Sequence, residues 1–108
     1  MPLSLPDAVA RYFRASNGDA TVALDDCFTD DAEVHDETHV HRGHAEIRAW
    51  KHAARGTFAY TVEPVDATRD GDRLTVSADV VGNFPGSPVR LDHVFELRDG
   101  RILSLAIG

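Results

Sequence analysis

Three polar side chains stand in apolar company, and their types could move protons. Asp36 closes the alternating segment Ala32-Glu33-Val34-His35-Asp36. It has the parity of Ala32 and Val34 and should point inward with them. A carboxylate so placed loses hydration, which raises its pKa toward that of a useful general base. Tyr12 shares the i, i+3, i+4, i+7 stripe of Val9, Tyr12, Phe13 and Ser16, so its hydroxyl could donate to a developing enolate. His93 lies on the apolar face formed by Leu91, His93, Phe95 and Leu97, with Asp92 and Glu96 opposite. Sharing a pocket with Asp36, it would complete an acid/base pair, as acid or orienting partner. Each group also has a plainer reading. His93 and Tyr12 could be hydrogen-bonded core residues, and Asp36 a turn or capping carboxylate.

The apolar residues expected to wall a ligand pocket around these groups are Phe13, Phe28, Val34, Trp50, Phe58, Phe84 and Phe95. Five of the six histidines crowd into residues 35 to 52, and His39-Val40-His41 would put two rings on one side of an extended segment. Their spacing matches no strong metal motif, so no metal is expected. A Gly-rich phosphate loop, a Gly-x-Ser-x-Gly elbow and a Cys-x-x-Cys pair are all missing from the sequence, and no cofactor is implied. Cys27 reads as inert packing.

The elements that must position these groups follow from periodicity. Pro6 to Ser16 reads as a helix stopped at Gly18, and Ala20 to Phe28 as a second short helix behind Asp19. Asp30-Asp31 reads as a turn, Ala32 to Asp36 as a strand, and Glu37 to Arg42 as a polar loop. A third helix is expected from about His44 to Ala54. Strands then follow over Thr57–Thr68, Arg73–Phe84, Val89–Arg98 and Arg101–Ile107, broken at Asp70-Gly71-Asp72, Pro85-Gly86-Ser87-Pro88 and Asp99-Gly100. Helices first and hairpins afterwards imply an α+β domain, three helices on a curved antiparallel sheet.

Composition narrows the function classes. The 108 residues suit one domain, 1–108, and the 43 % hydrophobic and 27 % charged content is that of a globular chain. A net charge of −7 works against nucleic acid, whose phosphates it would repel. No apolar run reaches membrane-spanning length, and Met1 to Asp7 lacks a signal-peptide pattern. No membrane partner is therefore expected. A single cysteine gives no sign of an oxidising compartment, and the cytoplasm is the expected setting.

Several stretches carry a family resemblance. Arg11-Tyr12-Phe13, Cys27 to Asp36, Arg42-Gly43-His44-Ala45-Glu46-Ile47-Arg48 and His93 to Ile102 resemble the nuclear transport factor 2-like superfamily. The likeness is closest to its SnoaL-like and ketosteroid-isomerase branches and covers nearly the whole chain. It implies a cone-shaped, cystatin-like α+β barrel. In ketosteroid isomerase a tyrosine on the first helix and a protonated acid on a late strand form the oxyanion hole, while an aspartate ending the first strand shuttles the proton. Tyr12 and Asp36 match the first and last of these. A literal match sets Asp92-His93 over the isomerase's Asp-His pair, whereas strand alternation turns His93 inward. Arg90 and Asp92 resemble the Arg-x-Asp of epoxide-hydrolase relatives, but the final strand lacks the second acid that chemistry needs.

The resemblance thus implies a small apolar-ligand pocket and an isomerase, cyclase or dehydratase using Asp36 as base on a carbonyl compound. The alternative is a non-catalytic ligand-binding or dimerisation module of the same fold. A small-molecule ligand and a homodimer are the expected partners.

Overall fold

The computed structural model describes residues 4–19, 21–36, 38–57 and 59–108. Helix α1 (Asp7–Ser16) starts behind Pro6, whose carbonyl accepts the Ala10 N–H at 2.9 Å. It buries Val9, Tyr12, Phe13 and Ser16, the stripe that the periodicity marks. After its last turn Gly18 takes φ +90°, a conformation that favours glycine. Asn17 then ties the helix to the sheet. Its side-chain amide donates to the Val62 carbonyl at 2.9 Å and accepts the Val62 N–H at 2.6 Å, as a neighbouring strand would.

Among the described residues the expected second helix does not form, and two α-helices rather than three pack on the sheet. The Asp19 carboxylate accepts both the backbone N–H and the hydroxyl of Thr21, at 3.0 and 2.6 Å. Only a 3-10 turn forms, over Leu24–Asp26, and Cys27 and Phe28 lead, fully buried, into the first strand.

That strand, β1 (Phe28–Asp36), starts earlier than alternation suggests. Asp30 and Asp31 do not turn the chain. Both are exposed within a register irregularity against β6, and Arg98 and the Thr29 hydroxyl both donate to Asp31. Strand β2 (His39–Arg42) pairs antiparallel with β1, where the sequence suggests a polar loop. Helix α2 (Gly43–Thr57) follows; Glu46 in its first turn accepts the Arg42 N–H at 2.9 Å. The remaining strands are β3 (Tyr60–Asp70), β4 (Arg73–Gly82), β5 (Val89–Arg98) and β6 (Arg101–Ile107).

The sheet order is β2-β1-β6-β5-β4-β3, antiparallel except for the parallel β1–β6 pair. Pro64 is tolerated because β3 is an edge strand, and it sits beside a further register shift. The core lies between this sheet and the two helices. Tyr12 anchors it, edge-to-face with Phe13, Phe28 and Phe95 at centroid distances of 5.4, 5.9 and 5.7 Å. None of the helices is long and apolar enough to cross a membrane, among the described residues.

Candidate active site

Asp36, Tyr12 and His93, far apart in sequence, line one cavity of about 440 Å³. That volume suits a small organic ligand. Tyr12 reaches it from α1, Asp36 from the end of β1, and His93 from β5, with Val62, Val80 and Ile107 supplying apolar wall.

Asp36 is half-buried, and the Trp50 indole N–H donates to its Oδ2 at 3.0 Å. Trp50 is itself backed by the His41 ring, 5.9 Å away, which stacks in turn on His39 at 6.4 Å. The carboxylate therefore points where an α2 side chain holds it.

Tyr12 is 1 % exposed. Burial pushes its pKa well above the ordinary phenol value, with Tyr60 and Asp36 acting in the same direction, against a lowering hydrogen bond from Ser16. The hydroxyl stays protonated at neutral pH and keeps a proton to donate.

His93 is 3 % exposed and packs edge-on to Phe13 at 5.4 Å and stacked on Phe95 at 6.3 Å. Burial drives its pKa down to about 4; Lys51 acts in the same direction, while the Leu91 carbonyl, Asp36 and Asp92 oppose. Its Nδ1 lies 3.3 Å from that carbonyl, which can only accept, so Nδ1 carries the proton and Nε2 the lone pair. At neutral pH His93 is an acceptor, not an acid.

Strand alternation thus prevails over literal matching to the isomerase. Asp92 faces outward and accepts the Ser77 hydroxyl at 2.7 Å, while Arg90 donates to Asp79. The Arg-x-Asp pair lies away from the cavity.

Of the expected wall, Trp50 and Phe84 line the cavity. Phe13, Phe28, Val34 and Phe95 do not. They are buried in the core, where the sheet and α1 close over them. Phe58 lies outside the described residues. Cys27 is fully buried, and its thiol pKa is raised to about 11 by that burial. Among the described residues no three His, Cys, Asp or Glu side chains are grouped to hold a metal. His44 leaves the cluster altogether, its Nε2 donating to the Phe28 carbonyl at 3.1 Å.

Of the lining residues that the sequence pattern did not mark, Tyr60 and Leu91 among them, the charged one is Lys51. It is 8 % exposed, lines the cavity, and donates from Nζ to the Tyr12 hydroxyl oxygen at 3.2 Å. A signal was there. Ile47, Trp50 and Lys51 fall at i, i+3 and i+4, so a charged residue continues the helix face that carries the apolar ones.

Comparison with known proteins agrees with this architecture. The chain is 45 % identical to a Sinorhizobium meliloti protein described as a candidate polyketide cyclase, over 96 % of this chain and 95 % of that one, with a TM-score of 0.91. It is 23 % identical to a Catenulispora acidiphila protein of ketosteroid isomerase-like fold, solved with trimethylamine, over 97 % and 86 % of the two chains, TM-score 0.83. An epoxide hydrolase/cyclase-like enzyme of pyran ring formation in salinomycin is 26 % identical over 94 % and 86 %, TM-score 0.73. No protein of curated function matches. The SnoaL-like domain family matches residues 9–105. The curved sheet with two helices on it is the ketosteroid isomerase-like fold, and the match over residues 9–105 decides the family: the chain belongs to the SnoaL-like domain family.

Proposed function

We propose that this protein binds a small, largely apolar carbonyl compound and moves a proton at the carbon beside the carbonyl, with Asp36 as the base. The observation that carries this reading is the convergence of Asp36 and the protonated hydroxyl of Tyr12 on one cavity.

The chemistry balances on residues in place. The Asp36 carboxylate takes the proton. The C–H electron pair becomes the carbon–carbon double bond of an enolate, and the carbonyl π pair moves to oxygen. Tyr12 donates a hydrogen bond to that oxygen as charge develops. Where a neighbouring double bond extends the enolate to a dienolate, return of the proton from Asp36 to the far carbon gives isomerisation; where the enolate carbon attacks a second carbonyl of the same ligand, the ring closes and the new alkoxide takes the proton back from Asp36. His93 orients the ligand by accepting a hydrogen bond from a ligand hydroxyl at Nε2, and does not supply the acid. The Sinorhizobium relative, described as a candidate polyketide cyclase, makes a poly-carbonyl ligand the first to try.

The test is α-proton exchange in deuterated water, followed by NMR across small and polycyclic ketones. Wild type is expected to exchange at least one of them, and a folded Asp36→Asn variant none. No exchange by folded wild-type protein across the panel, or equal exchange by the variant, overturns the assignment.

A further inference from the structure

Lys51 is an unusual occupant for an apolar helix face. A lysine at a half-buried position ordinarily extends its stem toward water. Here Nζ lies 4.3 Å from the Trp50 ring centroid, 5.0 Å from that of Tyr12 and 6.0 Å from that of Tyr60, and donates to the Tyr12 hydroxyl at 3.2 Å. Three ring faces and a hydroxyl oxygen are negative partners. Such partners offset part of the desolvation of a buried ammonium.

The titratable groups around it come from every element packed there. Asp36 faces the cavity from β1, Tyr12 from α1, Tyr60 from β3 and His93 from β5. Tyr12 is held neutral at pH 7 by burial, and His93 is neutral there as well. Among the described residues that line the cavity, Asp36 is the one carboxylic acid and Lys51 the one lysine or arginine. When Asp36 takes a proton, its negative charge passes to the ligand oxygen, and the ammonium remains to balance it. An ammonium hydrogen-bonded to a phenol also makes that phenol a stronger donor to a third group.

We propose that Lys51 and Tyr12 together form an anion site, and that the ligands this cavity prefers carry an acidic enol or phenol oxygen on an apolar ring. The inference rests on the same cavity as the proposed function. It assigns to Lys51 the role of selecting and stabilising the oxyanion, and it names a ligand class by charge.

The probe is 4-nitrophenol, whose ionised form is read by its absorbance, with 4-nitroanisole as the neutral isostere. Wild type is expected to bind the phenolate at least tenfold more tightly than the ether, and to keep the bound probe ionised at lower pH than the free one. Lys51→Met is expected to lose this preference, and Lys51→Arg to retain part of it. Equal affinity of wild type for phenolate and ether overturns the proposal, and that result needs no variant to fold. So does an undiminished preference in folded Lys51→Met. Asp36→Asn separates the two readings. Phenolate preference kept in this variant, with no ketone exchanged by wild type, leaves the anion site standing and removes the base. Exchange that depends on Asp36, with no phenolate preference, does the reverse.

Discussion

Tyr12→Phe isolates one hydroxyl in a ring whose packing is otherwise preserved. The phenylalanine fills the same slot among Phe13, Phe28 and Phe95, so no cavity term enters. The structural loss is the acceptor at 3.2 Å from Lys51 Nζ. Removing one partner of a buried, charge-assisted hydrogen bond costs about 1–3 kcal/mol. For a domain of this size each kcal/mol lowers the melting temperature by about 4–8 °C, a shift that calorimetry reads directly. The functional loss is larger if the hydroxyl meets an oxyanion. One such donor is worth about 10²–10³ in turnover, or roughly 2.7–4 kcal/mol in the barrier. Deuterium exchange on the best ketone should therefore fall at least about a hundredfold, with little change in KM, because the hydrogen bond strengthens only as charge develops. A fall below about tenfold in a folded variant, while Asp36→Asn abolishes exchange, would refute the oxyanion role and leave Tyr12 a core residue.

His93 predicts how stability follows pH. Its folded-state pKa of about 4 lies below its ordinary value, so the unfolded chain takes up a proton first as pH falls. The stability contributed by neutral His93 is fully present above about pH 6.5 and is lost progressively as pH falls toward 4, roughly 3 kcal/mol in all. His93→Gln should flatten that part of the curve, and an unchanged acid limb in thermal unfolding would contradict it. Gly82 pairs with Tyr60 across β3 and β4, and a Cβ there would collide with the Ala59 carbonyl oxygen and stand 2.8 Å from the Tyr60 Cβ. Gly82→Ala should cost about 1–3 kcal/mol through this overpacking; a melting temperature equal to wild type would show that the edge yields freely. A homodimer paired through sheet faces is the expected assembly, and Val81 on β4 offers a 49 % exposed apolar side chain for it. Sedimentation at micromolar concentration should return the dimer mass, and a monomer would refute it.

What the sequence determined by itself was local. The apolar stripe of α1 follows from spacing, because every fourth residue shares a helix face. The β5–β6 hairpin follows from Asp99-Gly100, which take φ of +53° and +79°, the left-handed pair a two-residue turn needs. The inward aim of His93 follows from alternation, because slipping one residue would expose Leu91, Phe95 and Leu97 together. These signals are carried by residues a few positions apart. The tertiary structure decided the rest. The parallel pairing of β1 with β6 joins segments separated by most of the chain, and no local pattern encodes it. Asp19 accepts from Thr21 the bond of a helix cap, yet among the described residues the chain forms a 3-10 turn at Leu24–Asp26 and then enters the sheet at Phe28. Phe13, Phe28 and Phe95, expected to wall a pocket, became core, because the helices and sheet close over them. Lys51 became part of the site for the converse reason. A buried ammonium is tolerable only where rings and a hydroxyl from α1, α2 and β3 meet it, and folding alone brings those together.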